Sequence, residues 1–179
     1  IALLLSKNKL VARFNSNLEF GPRALGNRSI LYASNDISVN DWLNKKLGRN
    51  SYMPFAPVTL FEFKDKCYLD TDKVIDSLKY MTISVVCTDW MKRKSPGVVH
   101  IDGTARVQLL KEEDNKEYYK VLRAYYELTG IPSLLNTSFN LHHDPIVCSP
   151  LQALRTFRIA QIDFLVISKF IISYELNTF

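Results

Sequence analysis

Apolar positions recur along this chain in two rhythms. "SVNDWLNKKLG" places Val39, Trp42, Leu43 and Leu47 on one helical face and ends at Gly48, a C-terminal stop. "NKEYYKVLRAYYELTG" (Asn115 to Gly130) carries the clearest helical stripe, Tyr118, Val121, Leu122, Tyr125 and Leu128, again closed by a glycine. "SPLQALRTFRIA" (Ser149 to Ala160) offers Ser149 as a cap and Pro150 in the first helical position. "IALLLSKNKL" reads as the end of a helix running into a loop. The other rhythm belongs to strands. "KLVARF" (Lys9 to Phe14) alternates and is β-branched before polar "NSN" turns it into a loop.

Further along, "YMPFAPVTLF" (Tyr52 to Phe61) contains two prolines that forbid helix, which predicts an extended segment feeding a strand. The charged stretch from Phe63 to Lys79 has no definite rhythm. "YMTISVVC" and "GVVHIDGTARVQLL" read as two strands paired as a hairpin across a basic loop, "DWMKRKSPG" (Asp89 to Gly97). "PSLLNTSFN" is a short strand running into a polar loop, followed by the turn "HHDP". "DFLVISKFIISY" (Asp163 to Tyr174) reads as one last strand. No repeat or low-complexity tract interrupts this order, and the fold class expected is α/β in a single domain.

Composition changes this picture little. A length of 179 residues, 47% of them hydrophobic and 23% charged, suits one soluble domain with a real core. No run nears the roughly 20 apolar residues that span a bilayer. Cys67, Cys87 and Cys148 are odd in number, far apart and without a nearby ligand histidine, so reduced structural thiols in a cytoplasmic protein are expected, with no metal site. Charge adds more. A net charge of +5 favours anionic partners: nucleotide, phosphate ester, RNA or an acidic protein surface. The chain opens on Ile1 without a secretory signal, which reads as a piece of a longer polypeptide.

Three loops combine permissive backbone with polar or cationic side chains. "FGPRALGNRSI" (Phe20 to Ile30) sets Arg23 and Arg28 among two glycines and a proline, a stiff loop whose guanidinium forks suit carboxylate and phosphate oxygens. Surface ion pairs are the plainer alternative for these arginines. In "HIDGTARVQ" Asp102 and Gly103 make a tight turn and Arg106 follows. His100 is expected to be a half-buried residue with one hydrogen bond. In "NTSFN" Ser138 and Asn140 share one side of an extended segment, and Asn136 extends that polar face. If the loops meet at strand ends, Arg23, Arg28 and Arg106 face Asn136, Thr137, Ser138 and Asn140 across one anion-binding cleft. His142 and His143 are adjacent loop residues and a poor metal pair. "MKRK" (Met91 to Lys94) is a solvated loop for which RNA contact is the best functional alternative.

These motifs carry a resemblance. "EFGPRALGNRSIL", "MPFAPV", "HIDGTARVQ", "GIPSLLNTSFN" and "DPIV" stand in the order of similar stretches in the C-terminal domain of the nodulation and antibiotic O-carbamoyltransferases, from about Leu5 to about Tyr174. The resemblance implies a YrdC-like fold, a twisted mixed sheet with flanking helices. It implies ATP, with Mg2+, and carbamoyl phosphate as substrates of carbamoyladenylate formation. It also implies a separate N-terminal, Kae1-like transferase domain of the same polypeptide, absent from this chain, that passes the carbamoyl group to an acceptor hydroxyl. Carried over by motif, Arg106 and Ser138 are the catalytic candidates, while Arg23, Arg28, Arg49, Asn136 and Asn140 bind substrate or nucleotide. The chain departs from the pattern at Leu47 and Met53, where the family often has lysine and arginine; Lys45 or Lys46 is then expected to supply charge, and Lys46 joins the binding set. His143 and Asp144 replace a Gly-Glu pair. The competing readings are a docking scaffold for the transferase domain and, behind it, an RNA-binding module. The expected partners are the transferase domain and small molecules, with a homodimer left open and no membrane.

Overall fold

The computed structural model describes residues 1–49 and 54–174. Its elements, in chain order, are α1 (Ala2–Ser6), β1 (Val11–Phe14), β2 (Arg28–Ala33), α2 (Val39–Lys46), β3 (Ala56–Leu60), α3 (Lys64–Cys67), β4 (Val85–Val86), α4 (Asp89–Lys94), β5 (Thr104–Ala105), β6 (Gln108–Leu110), α5 (Lys116–Thr129), β7 (Ser133–Ser138), α6 (Pro150–Ile159), β8 (Phe164–Ile167) and β9 (Phe170–Ser173). Short 3-10 turns fill much of the charged stretch between α3 and β4.

Seven strands form one mixed sheet in the order β6-β3-β7-β2-β1-β8-β9, and β4 pairs with β5 in a small second sheet. The fold is mixed α/β with flanking helices, as the sequence predicts. Every residue of β1, β2 and β3 is buried, which is why these strands read as near-continuous apolar runs. Helix α5 packs on α1 and on β3 and β7, and α6 packs on β1 and β8. The α5 stripe is realised through Tyr118, Leu122 and Tyr125, each at most 1% exposed. Gly130 closes the helix at φ +70° as foreseen, and at the other end the Asn115 side chain caps it by accepting from Tyr118 N. Ser149 caps α6 in the same way, with Pro150 following.

Two segments differ from the sequence reading. The supposed basic loop is helix α4, capped by Thr88 Oγ1, which accepts from Met91 N, and anchored by fully buried Met91. Lys92, Arg93 and Lys94 lie in its last turn, where the helix dipole favours cations. The hairpin expected around it shrinks to the two-residue pairing of β4 with β5. The last strand is likewise two strands, β8 and β9, antiparallel and joined at Ser168 with φ +53°. No glycine, proline or asparagine marks that turn, so the apolar run conceals it.

Register sets where loops converge. β7 runs antiparallel to β3 and β2, pairing Asn136 with Ala56 and Ser138 with Ser29, while parallel β6 pairs Gln108 with Val58 of β3. The end of β7 therefore lies beside the starts of β2, β3 and β6, so the segments preceding those three strands meet there.

Candidate functional site

At this edge of the sheet lies a cavity of about 240 Å³, lined among others by Arg23, Arg49, Arg106, Asn136, Ser138 and Asn140. Arg49 reaches it because α2 ends in a Schellman closure. Gly48 sits at φ +68° while its N–H donates to Lys45 O and the Arg49 N–H donates to Asn44 O. The guanidinium thus released donates to Thr137 Oγ1 at 2.7 Å, to Asn140 Oδ1 at 3.0 Å and to Ser138 Oγ at 3.2 Å. Asn140 is oriented for this. Its amide N–H groups are spent on the carbonyls of Leu141 and Asp144, which leaves Oδ1 to accept from Arg49 and from Ser138 Oγ. Burial lowers the Arg49 pKa, yet a guanidinium starts so high that it remains charged.

The glycine loop is closed by a residue that pattern reading missed. Glu19 Oε1 accepts from the backbone N–H groups of Leu25 (2.8 Å) and Asn27 (2.6 Å), drawing the loop into a ring that holds Arg23 over the cavity. Gly26 is obligatory: it takes φ +125°, and a Cβ there would lie 2.3 Å from Cδ1 of the buried Tyr118 ring. Its carbonyl accepts from Arg13, whose guanidinium lies over the same ring at 5.5 Å.

Arg106 stands between β5 and β6. The turn before it forms as expected, with Asp102 Oδ1 accepting from Thr104 N and Thr104 Oγ1, and Gly103 at φ +78°. The half-buried Arg106 has its pKa lowered, first by burial and then by the positive charge of Arg23. Its Nε is buried without a hydrogen-bond partner among the described residues. His100 is half-buried and shares a hydrogen bond with Thr104 Oγ1, outside the cavity lining.

Of the residues expected in the cleft, Arg28 is not there. It is 3% exposed, stacks on Phe14 and donates to the carbonyls of Val147, Asn15, Asn27 and Ser16. Strand alternation explains this placement: a residue on β2 points to whichever face its register dictates, whatever its charge. Lys46, in the last turn of α2, is also absent from the lining. Leu47 is fully buried in the core, so the departure there leaves no gap in the cavity wall. Met53 lies outside the described residues. His142 and His143 occupy a turn with their rings 3.8 Å apart, and His142 lines the cavity. Gln108 is the other residue pattern reading passed over. Its amide bridges the glycine loop and Asn136. Its only sequence signal is a polar side chain leading a buried strand.

Three guanidinium groups thus converge on one hollow from a loop, a helix end and a strand junction. Among the described residues no carboxylate lines it, and no ion pair involves Arg23, Arg49 or Arg106. Cations without counter-charges, two of them (Arg49 and Arg106) partly desolvated and Arg23 exposed at the rim, suit an anionic ligand carrying several oxygens. No group of three or more His, Cys, Asp or Glu among the described residues could hold a metal, and no described helix is long and apolar enough to cross a membrane.

The sequence profile of the Carbamoyltransferase C-terminus family matches residues 2–174. An uncharacterized protein of Methanocaldococcus jannaschii is 40% identical over 97% of the chain and 33% of its own length. Nodulation protein NolO of Bradyrhizobium diazoefficiens is 37% identical over 86% of the chain and 28% of its own length. The chain therefore spans a quarter to a third of these relatives. Among solved structures, full-length HypF in a phosphate- and nucleotide-bound form shares the fold with a TM-score of 0.66 at 18% identity, over 94% of this chain and 24% of that one.

Proposed function

The chain belongs to the Carbamoyltransferase C-terminus family, and from that premise we propose that its cavity binds ATP and carbamoyl phosphate and forms carbamoyladenylate. The balance is carbamoyl phosphate, ATP and water giving carbamoyladenylate, orthophosphate and pyrophosphate. Water takes up the phosphoryl group, and a carbamate oxygen then attacks the α-phosphorus and displaces pyrophosphate. Such chemistry asks little covalent help of a protein. It needs two polyanions brought together against their mutual repulsion and held in line, which fixed cations and preorganised donors provide.

The observation that carries this reading is the convergence of Arg23, Arg49 and Arg106 on one cavity that no carboxylate among the described residues lines. In it Arg49 holds Thr137, Ser138 and Asn140 in a fixed polar array, and Arg106 brings a half-buried guanidinium that forms no ion pair among the described residues. Magnesium would enter on the nucleotide phosphates, since the lining supplies no carboxylate for it. Transfer to an acceptor hydroxyl would fall to a separate domain of a longer polypeptide, in keeping with the share of its relatives that the chain spans.

A docking scaffold is the competing reading, and the convergence of Arg23, Arg49 and Arg106 on one cavity weighs against it. An RNA-binding module fits less well, because large aromatics such as Tyr118, Tyr125 and Phe157 are in the core rather than on a stacking surface. The test is to incubate the chain with ATP and carbamoyl phosphate and assay carbamoyladenylate and pyrophosphate. Both products are expected; absence of binding to either substrate at millimolar concentration would remove the proposal.

A further inference from the structure

One of the residues lining the cavity carries an oriented acceptor. Asn136, on β7 and 1% exposed, donates both amide N–H groups, one to Ala24 O at 3.1 Å and one to Gln108 Oε1 at 2.8 Å. Its Oδ1 is buried and has no hydrogen-bond partner among the described residues. The orientation is not arbitrary. A backbone carbonyl can only accept, so Ala24 O requires the nitrogen end of Asn136 on its side. Gln108 is fixed by the same logic, because its Nε2 donates to Leu25 O at 3.0 Å and its Oε1 must then face Asn136. Two consecutive carbonyls of the glycine loop thus dictate two amide orientations, and the result is a lone buried acceptor oxygen on a residue that lines a cavity otherwise rich in donors.

An unsatisfied buried acceptor is unfavourable unless the ligand brings a donor. Phosphate oxygens bring none at neutral pH once ionised, and neither does a carboxylate or an acetyl group. The amide of a carbamoyl group does. We propose that Asn136 Oδ1 accepts from the carbamoyl N–H, with Gln108 as the positioning residue that keeps this oxygen turned toward the ligand. The site then distinguishes carbamoyl phosphate from acyl phosphates of the same shape. This inference rests on the reading that the cavity holds carbamoyl phosphate.

Acetyl phosphate is the natural probe, since a methyl replaces the amino group and leaves Oδ1 unpaired. Calorimetric titration of the chain with carbamoyl phosphate, acetyl phosphate and inorganic phosphate is expected to favour carbamoyl over acetyl phosphate by about 10- to 100-fold. Asn136→Leu, which puts a methyl where Oδ1 stood, should abolish or reverse that ratio. Gln108→Met, which releases the amide, should lower the ratio by more than it lowers affinity for inorganic phosphate. Circular dichroism identifies any variant that fails to fold, and the wild-type ratio stands independently of both. Equal binding of the two acyl phosphates by the wild type overturns this inference and leaves the proposed function in place. So does a ratio unchanged in a folded Asn136→Leu. Binding of neither acyl phosphate overturns both.

Discussion

Arg28 and Arg106 show how far a residue's environment outweighs its type. Both are arginines in motifs that resemble the same family's, yet Arg28 spends its donors on four main-chain carbonyls while the Nε of Arg106 has no partner among the described residues. Their truncations should therefore separate. Arg106→Ala is expected to slow adenylate formation by about 10²- to 10³-fold, the loss of one preorganised donor, with little change in the unfolding midpoint. Arg28→Ala leaves those buried and partly buried carbonyls without this donor and should lower stability by about 3 kcal/mol in urea titrations. Comparable rate losses from both variants at equal stability would contradict the assignment of only one of them to the cavity.

At the scale of elements, the site depends on how regular pieces end. Helix α2 turns Arg49 inward through Gly48, and α5 begins at Asn115, whose two side-chain atoms do different work. Its Oδ1 caps the helix by accepting from Tyr118 N, and its Nδ2 donates to Asn27 Oδ1 at the end of the glycine loop. Asn115→Ala is expected to cost about 1 kcal/mol for the cap, a fall of roughly 2–4 °C in melting temperature. Because the tether to the loop is lost as well, phosphate affinity should fall too. Asn115→Asp keeps the cap and loses the donor, so it should restore melting temperature without restoring affinity. Thermal scans with and without phosphate read both quantities.

For the molecule as a whole, the three cysteines report on opening. Cys67 and Cys87 are fully buried, and burial pushes their thiols up to about 12 and about 11, so at pH 8 almost no thiolate exists to react. Cys148 is exposed. A thiol reagent should label one cysteine at once and the other two only at the rate of large-scale opening, with denaturant bringing all three to the same rate. Prompt labelling of Cys67 would mean that the sheet and α3 are not packed as described.

Local signals were sufficient where an element declares itself within a few residues. The α5 stripe with Asn115 and Gly130, the Ser149-Pro150 start of α6 and the Asp102-Gly103 turn were all legible, because caps, turns and periodicity arise from neighbours in the chain. The motif order likewise pointed to the family. Helix α4 and the β8–β9 turn were not legible: one was hidden under a run of charge, the other under a run of apolar residues. Cavity membership was decided by tertiary structure, the sheet above all. Strand register brought Arg106, Asn136 and the glycine loop to one edge, drew Arg28 into the interior, and joined Gln108 to Asn136 across 28 positions of sequence. Hydrogen bonds between distant strands depend on the closed fold, and nothing in a side chain's immediate sequence records which partner it will meet.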